Sequence, residues 1–129
     1  MLVDTDVLVW YMRGDARARA EIEGQNGFAV SVVTYIELIQ GMRNKRELSA
    51  LRGAMRQWQA KVLYLDQEIS TRAAGYVEEH FLSQSLQLAD ALIGATAVTH
   101  RLPLLTGDTR HYQVISGLQV QRFRPAPAG

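Results

Sequence analysis

Residues 88–108 read LADALIGATAVTHRLPLLTGD, and the fold follows from this stretch. Its first half is apolar almost all round, the composition of a helix buried on every side. PLLT (103–106) then forms a short apolar run of strand length, closed by Gly107-Asp108. A buried helix leading into a buried strand is half of a β–α–β unit. One residue breaks the pattern. Asp90 is the only Asp, Glu, Lys or Arg between Glu79 and Arg101. An isolated buried carboxylate is costly unless it is paired, protonated or bound to a metal. No Lys or Arg in its own helix turn is available to pair with it.

The same alternation runs outward in both directions. MLVD (1–4) reads as a buried strand ending at Asp4, followed by a helix to about Arg13 that Gly14-Asp15 breaks. A second helix covers about 15–24. FAVSVVT (28–34) is a β-branched run and is predicted as a strand. Thr34 then caps a helix through Glu37, which stands at the capping-box spacing. An amphipathic helix is expected over 46–60, a strand at VLYL (62–65), a helix over 67–83 and another over 86–100. After PLLT, LQVQRF (118–123) is a weaker last strand. Strands alternating with helices predict an α/β three-layer sandwich, with helices flanking a mostly parallel sheet of four to five strands. A single domain is expected over 1–124, with a disordered tail at 125–129.

In parallel α/β sheets, ligands sit beyond the carboxyl ends of the strands. Asp4 ends the first strand, and Asp108 lies two residues past the fourth. Glu37, in TYIELIQGM, is expected to be partly buried. With Asp90 these make four carboxylates directed to one pocket. Each close pair of such charges costs ~1 kcal/mol in water and several times that in a shielded cleft. A divalent cation removes the conflict, and an oxygen-only donor set favours magnesium or manganese over zinc. Such a site suits phosphodiester hydrolysis. Asp6 either faces the pocket beside Asp4 or occupies a helix first turn, where negative charge is favoured. Thr5 and Thr106 carry hydroxyls next to these acids.

The 129 residues carry a net charge of +1, which neither demands nor excludes nucleic acid. Twelve of the 14 basic residues are Arg, the side chain better suited to bidentate phosphate contact. They cluster at Arg13, Arg17 and Arg19, and again at Arg43, Arg46, Arg52 and Arg56. With no Cys, disulfides and zinc-thiolate sites are excluded, and a cytoplasmic location is expected. No signal peptide is legible, and no apolar run reaches the ~20 residues of a membrane span.

LVDTDVLVWYMRG, SVVTYIELIQGM, LADALIGATAVTHRLPLLTGDTRHY and the closing GLQVQRF together resemble the PIN-domain family, and within it the VapC toxins of bacterial toxin–antitoxin pairs. The likeness runs in order over nearly the whole chain. It implies an endoribonuclease that requires magnesium or manganese. Asp4 and Asp90 would be the principal direct ligands, with Glu37 acting through water. Asp108 falls where the family varies, often with Asn. Thr106 matches the Thr of the last motif. Arg110 and His111 follow it as candidates for phosphate contact. The resemblance further implies a homodimer and a small VapB-like antitoxin, with residues around Trp10, Tyr11, Leu38 and Met42 as candidates for that contact. RNA would be the substrate, with Arg13, Arg43, Arg46, Arg52 and Arg56 as backbone-contact candidates.

Two rivals are weighed. VDTDVL resembles the opening of haloacid-dehalogenase phosphatases, but the chain is short for that fold and its two lysines, Lys45 and Lys61, are badly placed. A non-catalytic PIN or adaptor domain is the other alternative, and the presence of all four acids argues against it.

Overall fold

The computed structural model describes residues 1–83 and 86–128. Five strands, β1 (Leu2–Val3), β2 (Phe28–Ser31), β3 (Ala60–Leu63), β4 (Leu104–Thr106) and β5 (Val120–Arg122), form one sheet in the order β3-β2-β1-β4-β5. Every pairing is parallel. The helices are α1 (Thr5–Met12), α2 (Ala16–Glu23), α3 (Val32–Gln40), α4 (Lys45–Gln57), α5 (Gln67–His80), α6 (Leu88–Thr99) and α7 (Thr109–Tyr112).

Successive strand residues point to opposite faces, and here that alternation sorts the core into two layers. Leu2 and Leu104 pack with Ile69, Ala73, Ala91 and Ile93 of α5 and α6. Val3 and Leu105 pack with Val7, Leu8, Ile22, Leu38 and Leu51 of α1 to α4. The three-layer sandwich is therefore as expected. Leu2, Val7, Leu8, Leu104 and Leu105 are 0% exposed, and each such burial contributes roughly 1.5–3 kcal/mol. Gly94 lets α6 come close to the chain after α7, because a Cβ there would collide with Ile115 Cδ1.

Strand order reverses between β1 and β4. The chain moves from β1 to β2 and β3 on one side, then crosses through α5 and α6 to β4 on the other. This is the topological switch point at which open α/β sheets form their ligand crevice, and Asp4 and Asp108 lie on either side of it.

Several boundaries differ from expectation. β2 ends at Ser31, whose hydroxyl accepts from Val33 N at 3.0 Å and caps α3. Thr34 is thus inside the helix and fully buried, and the Thr34–Glu37 capping box does not form. The β-branched run Val32–Thr34 follows tertiary context rather than strand propensity. β3 begins two residues early, leaving Tyr64 70% exposed. The helix expected over 67–83 ends at His80, and residues 84–85 of the expected connection lie outside the described residues. The short α7 was not expected. In the closing segment, Ala126 N donates to Asp15 Oδ1 at 2.9 Å and Arg17 donates to the Pro125 carbonyl at 3.4 Å. That contact holds part of the segment expected to be a disordered tail against α2. Among the described residues, no helix is long and apolar enough to cross a membrane.

Candidate metal-binding active site

Asp4 anchors the site. It follows β1 and is the N-cap of α1, with Oδ1 accepting from Thr5 N at 2.8 Å. Its Oδ2 accepts from the Thr106 hydroxyl at 2.7 Å, which joins the ends of β1 and β4. The same Thr106 oxygen accepts from Asp108 N at 3.0 Å. Thr106 therefore sets the geometry of both loops. Asp4 is 6% exposed. Burial, reinforced by the neighbouring Asp6 charge, pushes its carboxyl up to about 7.

Asp6, in the first turn of α1, accepts from Gly107 N at 2.9 Å through Oδ2. Its other oxygen is buried without a hydrogen-bond partner. Glycine suits position 107, since a Cβ would sit 2.8 Å from Asp6 Oδ2 and push that carboxylate aside. Desolvation raises the Asp6 carboxyl, and Asp108 adds to the effect. Asp6 is thus both a brace for the β4 loop and a member of the acidic group.

Glu37 is exposed rather than partly buried, because it sits on the open side of α3. The Thr5 hydroxyl donates to its Oε1 at 2.7 Å and also meets the Thr34 hydroxyl at 3.0 Å. Asp90 is half-buried and lies in the first turn of α6, not its middle. Its Oδ2 accepts from Gln87 N at 3.3 Å, a placement the helix N-terminus favours. No Lys or Arg forms an ion pair with it among the described residues. Desolvation raises its carboxyl, the charges of Asp108 and Glu37 add to that, and His111 opposes them. Asp108 is turned to His111, Oδ2 to Nδ1 at 2.6 Å.

The five carboxylates thus share one electrostatic field, and Tyr112 is its floor. The Tyr112 ring is 1% exposed. Its hydroxyl is close enough to interact with Asp4 yet lies outside direct hydrogen-bond geometry. Burial and the charges of Asp4, Asp90 and Asp6 keep it protonated. Sequence reasoning missed Tyr112. Its only signal was its place four residues after Asp108, one helical turn away.

A hard divalent cation fits this donor chemistry. The donors are all oxygen, and Asp6 Oδ1 and the Tyr112 hydroxyl are buried polar atoms that lack partners. In the present rotamers, no three acidic or histidine side chains among the described residues converge as a ready ligand set. Asp90 serves its own helix end and Asp108 serves His111.

The other expected contacts separate. Arg43 is tied to Glu47 at 2.9 Å. The Arg13 guanidinium lies 5.8 Å from the Trp10 ring centre. Arg46 and Arg110 are exposed. Arg52 and Arg56 line a shallow cleft with Tyr35 and Tyr64. Leu38, at 2% exposure, belongs to the core and is not free for a partner. Tyr11 and Met42 do line an open groove of about 610 Å³ between α1, the end of α3, and α4.

Comparison with known proteins agrees with this architecture. The PIN domain family model matches residues 1–116. Ribonuclease VapC10 of Mycobacterium tuberculosis is 33% identical over 125 residues, covering 92% of this chain and 90% of that protein. A toxin–antitoxin complex from Klebsiella pneumoniae superposes with a TM-score of 0.76 at 29% identity, over 91% of this chain and 93% of that one. VapBC2 from Rickettsia felis, solved bound to a DNA fragment from its promoter, gives 0.82 at 15% identity over 95% and 98%, a likeness of fold alone. The chain belongs to the PIN-domain family.

Proposed function

We propose that this protein is a cytoplasmic, magnesium- or manganese-dependent endoribonuclease, the toxin of a toxin–antitoxin pair, working through a single domain over residues 1–124. The observation that carries the reading is the group of acids around the β1/β4 switch point, drawn from four separate segments and without a Lys or Arg partner among the described residues. The similarity to VapC10, named a ribonuclease, supports the same conclusion.

Asp4, Asp90 and Asp108 would hold the cation, with Glu37 reaching it through water and Asp6 in support. When bound, the cation neutralises these carboxylates, polarises the scissile phosphate and eases deprotonation of water near neutral pH. The chain's own groups do the rest. Thr106 fixes the Asp4 carboxylate and Thr5 orients Glu37. Glu37, exposed on α3, takes the proton of the attacking water. The water oxygen bonds to phosphorus, the bond to the leaving ribose oxygen breaks, and that oxygen takes a proton from solvent. Thr106 also keeps Asp4 and the Asp108 loop in register during the reaction.

The partner is a VapB-like antitoxin, and the groove lined by Tyr11 and Met42 is its seat. The protein acts as a homodimer. The test is cleavage of an RNA oligonucleotide with magnesium or with EDTA, by wild type and by Asp4→Asn. Cleavage confined to the wild type with magnesium is expected. Equal cleavage by both proteins, or in EDTA, would remove the nuclease assignment.

A further inference from the structure

A second cleft, of about 410 Å³, opens between α2 and the end of β5. Arg17, Arg122 and Arg124 line it, with Glu21 as its one carboxylate. None of the three guanidiniums forms an ion pair within 4.0 Å among the described residues. All three residues are exposed. Three exposed arginines against a single carboxylate give the border of this cleft a net positive charge suited to an anion.

Its position identifies the anion. β5 pairs with β4 in the register Thr106↔Arg122. Phe123 N donates to the Thr106 carbonyl at 2.8 Å, so Arg122 and Arg124 flank the residue that closes the ladder beside the acidic site. Gly107 bridges the two sites: a Cβ there would touch Asp6 on one side and Phe123 O, at 3.5 Å, on the other. Neighbouring strands lie ~4.8 Å apart, so the end of β5 stands on the order of 10 Å from Asp4, two strands away. The segment carrying Arg124 is held in place. Arg17 donates to the Pro125 carbonyl, and Ala126 N donates to Asp15 Oδ1. A chain whose scissile phosphate sits at Asp4 therefore passes its next phosphates over these arginines.

We infer that the α2/β5 cleft binds the backbone phosphates of single-stranded RNA flanking the scissile bond, through Arg17, Arg122 and Arg124. This rests on the endoribonuclease reading and gives that site a direction: the substrate leaves the acids over the β5 edge. Phosphate contact through arginine carries no base information, so the cleft adds affinity and register but not sequence preference.

The test is equilibrium binding of a fluorescent single-stranded RNA oligonucleotide to the full chain in EDTA, from 50 to 200 mM salt, so that no cleavage intervenes. Each phosphate contact on a single strand contributes about 0.7 to the slope of log affinity against log salt. The triple variant Arg17→Gln/Arg122→Gln/Arg124→Gln should therefore lose about 2 from the slope. The corresponding triple Lys variant should keep most of it, because the charges remain. Wild-type binding with an unchanged slope in the Gln variant would overturn the cleft and leave the nuclease reading intact. So would an equal loss in the Lys variant, which would mark a structural effect. Loss of binding to a poly-glutamate peptide with RNA binding unaffected would assign the cleft to an acidic protein segment and overturn the proposal as well. Failure of the wild type to bind RNA at all would refute both readings.

Discussion

Replacing Asp4 by Asn should stabilise the cation-free protein at pH 8 and do so much less at pH 5. The Asp4 carboxyl titrates at 3.8 when the chain is unfolded and at about 7 when folded. The folded state therefore holds this proton to higher pH, and stability falls as pH rises from about 4 to about 7. Three pH units of difference correspond to about 4 kcal/mol when ionisation is complete. Roughly 1.5 kcal/mol of that is already lost at pH 5, so about 2.5 kcal/mol goes between pH 5 and pH 8. Asn does not titrate. It keeps the acceptor for Thr5 N but faces the Thr106 hydroxyl with an amide, and the bond that hydroxyl donated to Asp4 Oδ2 is lost. That costs about 1 kcal/mol at any pH. The variant should then exceed wild type by about 3 kcal/mol at pH 8 and by well under 1 kcal/mol at pH 5. Urea denaturation in EDTA at the two pH values reads this double difference directly. A gap that is independent of pH, or that widens toward acid, would refute the claim that burial and Asp6 raise the Asp4 carboxyl.

Magnesium should close most of that gap. At pH 8, added magnesium should raise the denaturation midpoint of wild type, by about 2.7 kcal/mol at a hundred times its dissociation constant; a midpoint in Asp4→Asn that rises as much would place the cation elsewhere. Thr106→Val keeps shape but removes the hydroxyl that donates to Asp4 and accepts from Asp108 N. It should cost about 1–3 kcal/mol in a urea melt and suppress RNA cleavage. Gly94→Ala should destabilise by about 1–3 kcal/mol through overpacking against Ile115, and adding Ile115→Val should recover part of the loss.

The order of elements was legible because it is written in local pattern. The apolar helix over 88–99, the strand runs at 1–3, 28–31 and 104–106, and the break at Gly14-Asp15 each depend on neighbours in sequence. The parallel sheet followed from the alternation of these runs, and the acids at strand ends followed from the sheet. Asp90 stood out by its isolation among apolar residues. Short-range chemistry failed where a distant group decided the outcome. Thr34 has the spacing of a helix cap, but Ser31 takes that role and the Thr34 hydroxyl turns to Thr5, 29 residues away. Glu37 reads as half-buried from its apolar neighbours, but its own position on α3 faces the open edge. Arg17 reads as part of an exposed helix face, and Arg122 as a polar position on a weak strand. Only the pairing of β5 with β4, and the return of the chain end to α2, bring the two together beside the acids. Sequence periodicity reports which side of an element is buried. Which charges meet is set by contacts between residues a hundred positions apart, such as Thr106 with Asp4 and Gly107 with Asp6, and these exist only once the sheet has closed.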